Sequence, residues 1–136
     1  MPHGGVDPSV AGWAETAAHL VALAQLPGIG PGTLLRWHRG IGAPAAWEVV
    51  VRGRTPEILA LAGPLARLSE QAVPPLVAAA RALDPHQELE RHSRAGRQVL
   101  VADTQGYPAR LRHDPAPPAV LFAAGDPSVL DQPSVA

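Results

Sequence analysis

Apolar residues recur at helical spacing from Trp13 to Leu26, where Trp13, Ala17, Leu20, Val21 and Ala24 fall on successive turns. This pattern predicts a first helix. A second is predicted to start at about Pro31, because proline fits a first helical position whose N–H would be orphaned anyway, with Leu34, Leu35 and Trp37 as its apolar residues. Ala43 to Val51, Pro56 to Leu61 and Pro75 to Leu83 read as further short helices, with Gly63-Pro64 and Pro74-Pro75 as breaks. Gln87 to Ala95 is polar and helical, and Gly96 stands where a left-handed cap is expected. The period then changes. Gln98-Val99-Leu100-Val101-Ala102 reads as a strand buried on both faces, of the kind that helices cover in an α/β sheet. Pro118 to Ala123 repeats the signal, and Ser134-Val135-Ala136 opens a third run.

The change of pattern divides the chain near Asp84-Pro85, giving a helical domain over residues 1–84 and the beginning of an α/β domain over residues 85–136. The run at Ser134 has no turn residue and no partner strand after it, so the sequence is expected to be cut inside its second domain. Strands left without neighbours should present an edge and an apolar face.

Composition narrows the chemistry. The apolar share is 46% but aromatic residues make up only 4%, so the core should be helical and built from Ala and Leu. Without cysteine there is no disulfide framework, thiolate zinc site or cysteine nucleophile. The first residues lack the basic and apolar regions of a secretory signal, and no apolar run approaches the roughly 20 residues that span a bilayer. The expected location is the cytoplasm, with no membrane partner. The net charge of -1 argues against a chain that binds nucleic acid through overall charge. Its distribution is uneven: between Leu26 and Arg54, Arg36, Arg39, Arg52 and Arg54 face only Glu48.

That basic segment contains Leu26-Pro27-Gly28-Ile29-Gly30-Pro31-Gly32-Thr33, set between two predicted helices. It resembles the helix-hairpin-helix motif, in which two glycines flank an apolar residue and amides at the start of the second helix can hold a DNA phosphate without reading a base. The candidate DNA-binding residues are therefore Gly28, Ile29, Gly30, Gly32, Thr33, Arg36 and Arg39. Gly32 stands where DNA-binding versions often carry a basic residue. Arg36 and Arg39, three apart on one helical face, could compensate for it. The competing reading is a tight helical turn with Ile29 as a core plug.

A second constellation follows the first strand. Asp103-Thr104-Gln105-Gly106-Tyr107-Pro108-Ala109-Arg110-Leu111 leads into Asp114-Pro115-Ala116-Pro117-Pro118-Ala119-Val120-Leu121-Phe122-Ala123-Ala124-Gly125-Asp126. This D-x-x-x-Y-P-x-x-L and P-P-x-V-L-F-x-x-G-D series resembles the DNA-processing protein A family, DprA or Smf. The order of parts, from the helical L-P-G-I-G-P segment through Glu88 to Gly96, is similar as well. The resemblance implies an α+α/β chain: an N-terminal helical domain of helix-hairpin-helix or sterile-alpha-motif-like type, then the truncated start of a Rossmann-like domain. It implies a parent protein that binds single-stranded DNA and helps load the RecA recombinase in natural transformation, as a homodimer and without a reaction of its own. The family's Gly-Ser-Arg type loop, which holds the DNA backbone, would follow the strand beginning at Ser134. The later motif residues themselves read as scaffold: Tyr107-Pro108 closing a turn, Leu111, Val120, Leu121 and Phe122 filling a layer between sheet and helix, and Asp103 and Asp126 in turns or caps.

Two other classes stay open. One is a helical protein-interaction module with no DNA contact. The other is the N-terminus of a Rossmann-like nucleotide-processing enzyme, which would need acidic catalytic residues downstream. No phosphate loop of the G-x-x-x-x-G-K-[ST] type and no nucleophile elbow occurs, and His86 and His92 lack the one-turn spacing of paired metal ligands, so no catalytic residue, cofactor or metal is expected.

Overall fold

The computed structural model describes residues 8–104 and 106–124, with side chains described from Gly12 onward. Seven α-helices and two strands form among these residues: α1 (Pro8–Ala24), α2 (Pro31–Arg39), α3 (Ala43–Arg52), α4 (Thr55–Ala62), α5 (Val73–Arg81), α6 (Pro85–Arg94), β1 (Arg97–Val101), α7 (Ala109–Arg112) and β2 (Val120–Ala124). Single 3-10 turns at Pro64–Ala66 and Glu70–Ala72 join α4 to α5.

The helices are punctuated by two residue types. From α2 to α6 every helix carries proline in its first positions, where the missing N–H costs nothing. Gly40, Gly53 and Gly63 follow the ends of α2, α3 and α4. Gly96 has φ 78, the left-handed conformation expected just past α6. One break is placed differently from expectation: Pro74-Pro75 lies inside the first turn of α5, which starts at Val73. Asp84 caps α6, its Oδ1 accepting from the amides of His86 at 3.0 Å and Gln87 at 3.4 Å.

α1 is the centre of the packing and touches α2, α3, α6 and both strands. Ala17, Ala18 and Leu20 to Leu23 are fully buried, so most of its middle is enclosed by the core, with the part-buried His19 turned to Glu15, while Ala24 is exposed. Ala43, Ala46, Trp47 and Val50 of α3, Ile58 and Ala62 of α4, and Val73, Leu76, Val77 and Ala80 of α5 complete the helical core. The same buried cluster continues through Val99, Leu100 and Val101 into Tyr107, Val120 and Ala123. α6 lies against both α1 and β1, so helices and strands share one core.

The sheet corrects an expectation. β1 and β2 pair antiparallel, Arg97 opposite Ala124 and Val101 opposite Val120, and no parallel sheet forms among the described residues. The reason lies in the connection, which closes on itself. The Ala102 amide donates to the Ala119 carbonyl at 2.9 Å, and the Tyr107 hydroxyl donates to the Pro118 carbonyl at 2.7 Å. The chain therefore re-enters beside the end of β1 that it left, and can only run back. Val99, Leu100 and Val101 are buried in succession, as a doubly covered strand requires. Phe122 departs from its expected layer position and is 43% exposed, its ring stacked on His92 with centroids 4.4 Å apart. Gly125, Asp126 and the run at Ser134 lie outside the described residues.

Candidate nucleic-acid interface

The hairpin between α1 and α2 is built by backbone geometry. Gly28 takes φ 86, and a Cβ there would lie 3.1 Å from Leu68 Cδ1, so glycine answers both the turn and the close approach. Ile29 is half-buried and packs on the core, as a plug would. Gly30 is extended and exposed, and its carbonyl accepts the first helical bond from the Leu34 amide at 3.0 Å. Pro31 occupies the first position of α2, leaving Gly32 and Thr33 as the first-turn amides with no acceptor inside the helix. Gly32 is exposed, whereas Thr33 is buried.

The two arginines chosen from the sequence turn to the protein. Arg36 Nη2 donates to the Ala62 carbonyl at 3.0 Å and to Thr33 Oγ1 at 3.3 Å, so it satisfies the last carbonyl of α4. Arg39 and Asp103 form a two-pronged pair, Nε to Oδ2 at 2.9 Å and Nη2 to Oδ1 at 3.0 Å. The hydrogen bonds from Arg39 hold the Asp103 carboxyl below the usual carboxylate range, and the same bonds raise Arg39. Between them His38 Nε2 donates to the Ala102 carbonyl at 2.8 Å. A carbonyl only accepts, so the proton sits on Nε2, and Nδ1 is buried without a hydrogen-bond partner. Trp37 Nε1 donates to the Leu61 carbonyl at 3.0 Å on the other side. Every polar side chain of α2 from Arg36 onward thus fastens another element.

The loop after β1 is equally occupied. Asp103 takes φ 67, a conformation Asp tolerates better than most residues, held here by Arg39. Thr104 Oγ1 donates to the Val101 carbonyl at 2.7 Å. Tyr107 is 2% exposed, and burial, followed by the charges of Asp103 and Asp114, pushes its phenol up. Pro108 is buried beside it, and Leu111 is half-buried. The turn roles read for Asp103, Tyr107 and Pro108 are the ones these contacts describe.

Of the seven candidates, Gly28, Ile29 and Gly30 therefore form the turn, Gly32 and Thr33 open α2, and Arg36 and Arg39 lie further along α2 with their guanidinium groups engaged. A different cationic group stands at the end of α6. Arg91 lies 3.1 Å from the buried Glu88 carboxylate, and Arg97 Nε donates to His92 Nδ1 at 2.9 Å beside the exposed Phe122 ring. Burial first, and then the charge of Arg97, lower the His92 ring, keeping that lone pair available. The clustering of Arg91, His92, Arg94 and Arg97 is visible in sequence, but the aromatic ring beside them comes from β2. Glu15, His19 and His86 gather between α1 and α6, the two imidazole centroids 5.9 Å apart, but among the described residues no group of three His, Asp or Glu could hold a metal ion. Glu15 instead links α1 to α6 through His86 Nε2 at 2.9 Å. No helix among the described residues is long and apolar enough to cross a membrane. No protein-family model, curated protein or solved structure matches the chain.

Proposed function

We propose that this chain supplies the helical module and first strands of a DNA-processing protein of the DprA/Smf type. In this reading the helices are a helix-hairpin-helix or sterile-alpha-motif-like domain, and β1 and β2 belong to the edge of a Rossmann-like domain. Single-stranded DNA binding, RecA loading and dimerisation are properties of the whole protein. The observation that carries the reading is the joint made by the motif residues: Asp103 grips Arg39 of the hairpin helix, and Tyr107 grips Pro118 of the second motif. A motif that folds a loop and docks it on α2 has a structural reason for its residue types and spacing.

The competing module without DNA contact at the hairpin is favoured by one specific fact, the engagement of both Arg36 and Arg39 inside the protein. The two readings agree that α2 is a structural helix and differ on what the parent does. Disruption of the encoding gene tests the first directly. A fall in transformants obtained with chromosomal DNA is the expected result, and an unchanged yield in a competent strain contradicts it.

A further inference from the structure

Phe122 stands between two cavities of different character. On one side a cavity of about 400 Å³ is walled by Gln25, Glu88, Arg91, His92 and Arg97. On the other a cavity of about 260 Å³ is walled mainly by Ile29, Leu34, Pro118 and Val120, with Gly30 and Pro31 at the hairpin as part of its wall. Ala24 and Phe122 belong to both. The two cavities adjoin through these shared residues, one cationic and the other apolar, and together make one groove with the Phe122 ring between them.

The ring is held in place. His92 stacks on it at 22° between planes, and Arg97 donates to His92, so ring, imidazole and guanidinium form one ordered chain. The acid in the cationic cavity is already satisfied: Glu88 accepts from Gln25 Nε2 at 2.7 Å and pairs with Arg91 at 3.1 Å. Arg97 is left as the cation with no carboxylate partner among the described residues. An apolar cavity beside an ordered ring suits an aromatic base, and a guanidinium one side chain away suits the phosphate attached to it.

We propose that this groove takes a nucleotide unit, the base in the apolar cavity against Phe122 and the phosphate at Arg97. The unit is either a free nucleotide or one residue of a single strand. The site lies away from Arg36 and Arg39 and goes beyond the reading above. Gene disruption can fail while the groove binds, and the groove can fail while the gene acts.

Titration of the full chain with inorganic phosphate, thymidine monophosphate and a thymidylate pentamer, followed by NMR shifts, tests it. Joint perturbation of Phe122, Ile29 and Arg97 is expected. Saturation by the monophosphate assigns a free nucleotide, and saturation by the pentamer alone assigns a strand. Phe122→Leu should weaken binding about tenfold through lost stacking. Arg97→Gln, at the exposed start of β1, should lower the slope of log affinity against log salt by about 0.7. Thermal melts identify a variant that fails to fold, and the other variant then decides. A lack of response to both the monophosphate and the pentamer, a response to phosphate equal to that of the nucleotides, or equal titrations for wild type and the folded variants overturns the proposal.

Discussion

Arg39 and Asp103 meet through two parallel hydrogen bonds of 2.9 and 3.0 Å across a sequence separation of 64 residues. That contact ties the hairpin helix to the loop after β1. Both side chains are partly exposed, so the pair is expected to set the position of the loop more than the stability of the whole domain.

Its pH dependence has a definite sign. The folded Asp103 carboxyl titrates below its unfolded value, so its contribution is fully present above the ordinary carboxylate range near about 3.9 and is lost as pH falls through the folded value. Wild type should therefore melt higher than Asp103→Asn at neutral pH. The difference should vanish in strong acid. A difference that grows toward low pH contradicts the assignment.

The second fastening is buried. Tyr107→Phe removes the hydroxyl that donates to the Pro118 carbonyl and should cost about 1 kcal/mol in urea unfolding. Hydrogen exchange should quicken at the Ala102 amide, which bonds the residue next to Pro118. Unchanged stability and exchange would remove Tyr107 from the joint.

At the hairpin, Gly28→Ala must hold a side chain at φ 86 and crowd Leu68 Cδ1 at 3.1 Å. A loss of about 1 kcal/mol or more is expected from the backbone alone. Gly30→Ala meets open space at an extended backbone and serves as the control, with a smaller loss. Equal effects at the two glycines would show that the turn geometry is not what Gly28 provides.

In the core, Leu20→Ala empties a fully buried position on α1 and should cost about 2–5 kcal/mol by chemical denaturation. Because the buried cluster runs from α1 into both strands, probes on Trp47 and on β2 should lose structure together. Separate transitions would contradict a shared core.

The helices were legible because proline and glycine mark their ends and the apolar spacing fills the turns between. Gly28, Ile29 and Pro31 could be placed in the hairpin by the same local logic. What the sequence hid was long-range. Nothing near Arg39 signals Asp103, and nothing near Arg36 signals the Ala62 carbonyl, so the two arginines read as candidate phosphate contacts with no sign of their partners within the protein. Strand direction was hidden as well, because it depends on how the loop from Ala102 to Ala119 closes. Val120-Leu121-Phe122-Ala123-Ala124 is apolar throughout, so alternation could not reveal that Phe122 points outward. The same concealment kept the ring from being associated with Arg97 and His92.

The central claim is that the guanidinium groups of Arg36 and Arg39 are engaged in the fold, tying α2 to the end of α4 and to the loop after β1. Fluorescence anisotropy of a labelled single strand, titrated at several salt concentrations with wild type and the Arg36→Ala/Arg39→Ala double variant, tests it together with thermal melts of both. The account predicts a lower melting temperature for the variant and equal affinity for the strand wherever both are folded. A variant that melts as wild type and loses salt-sensitive binding would contradict it.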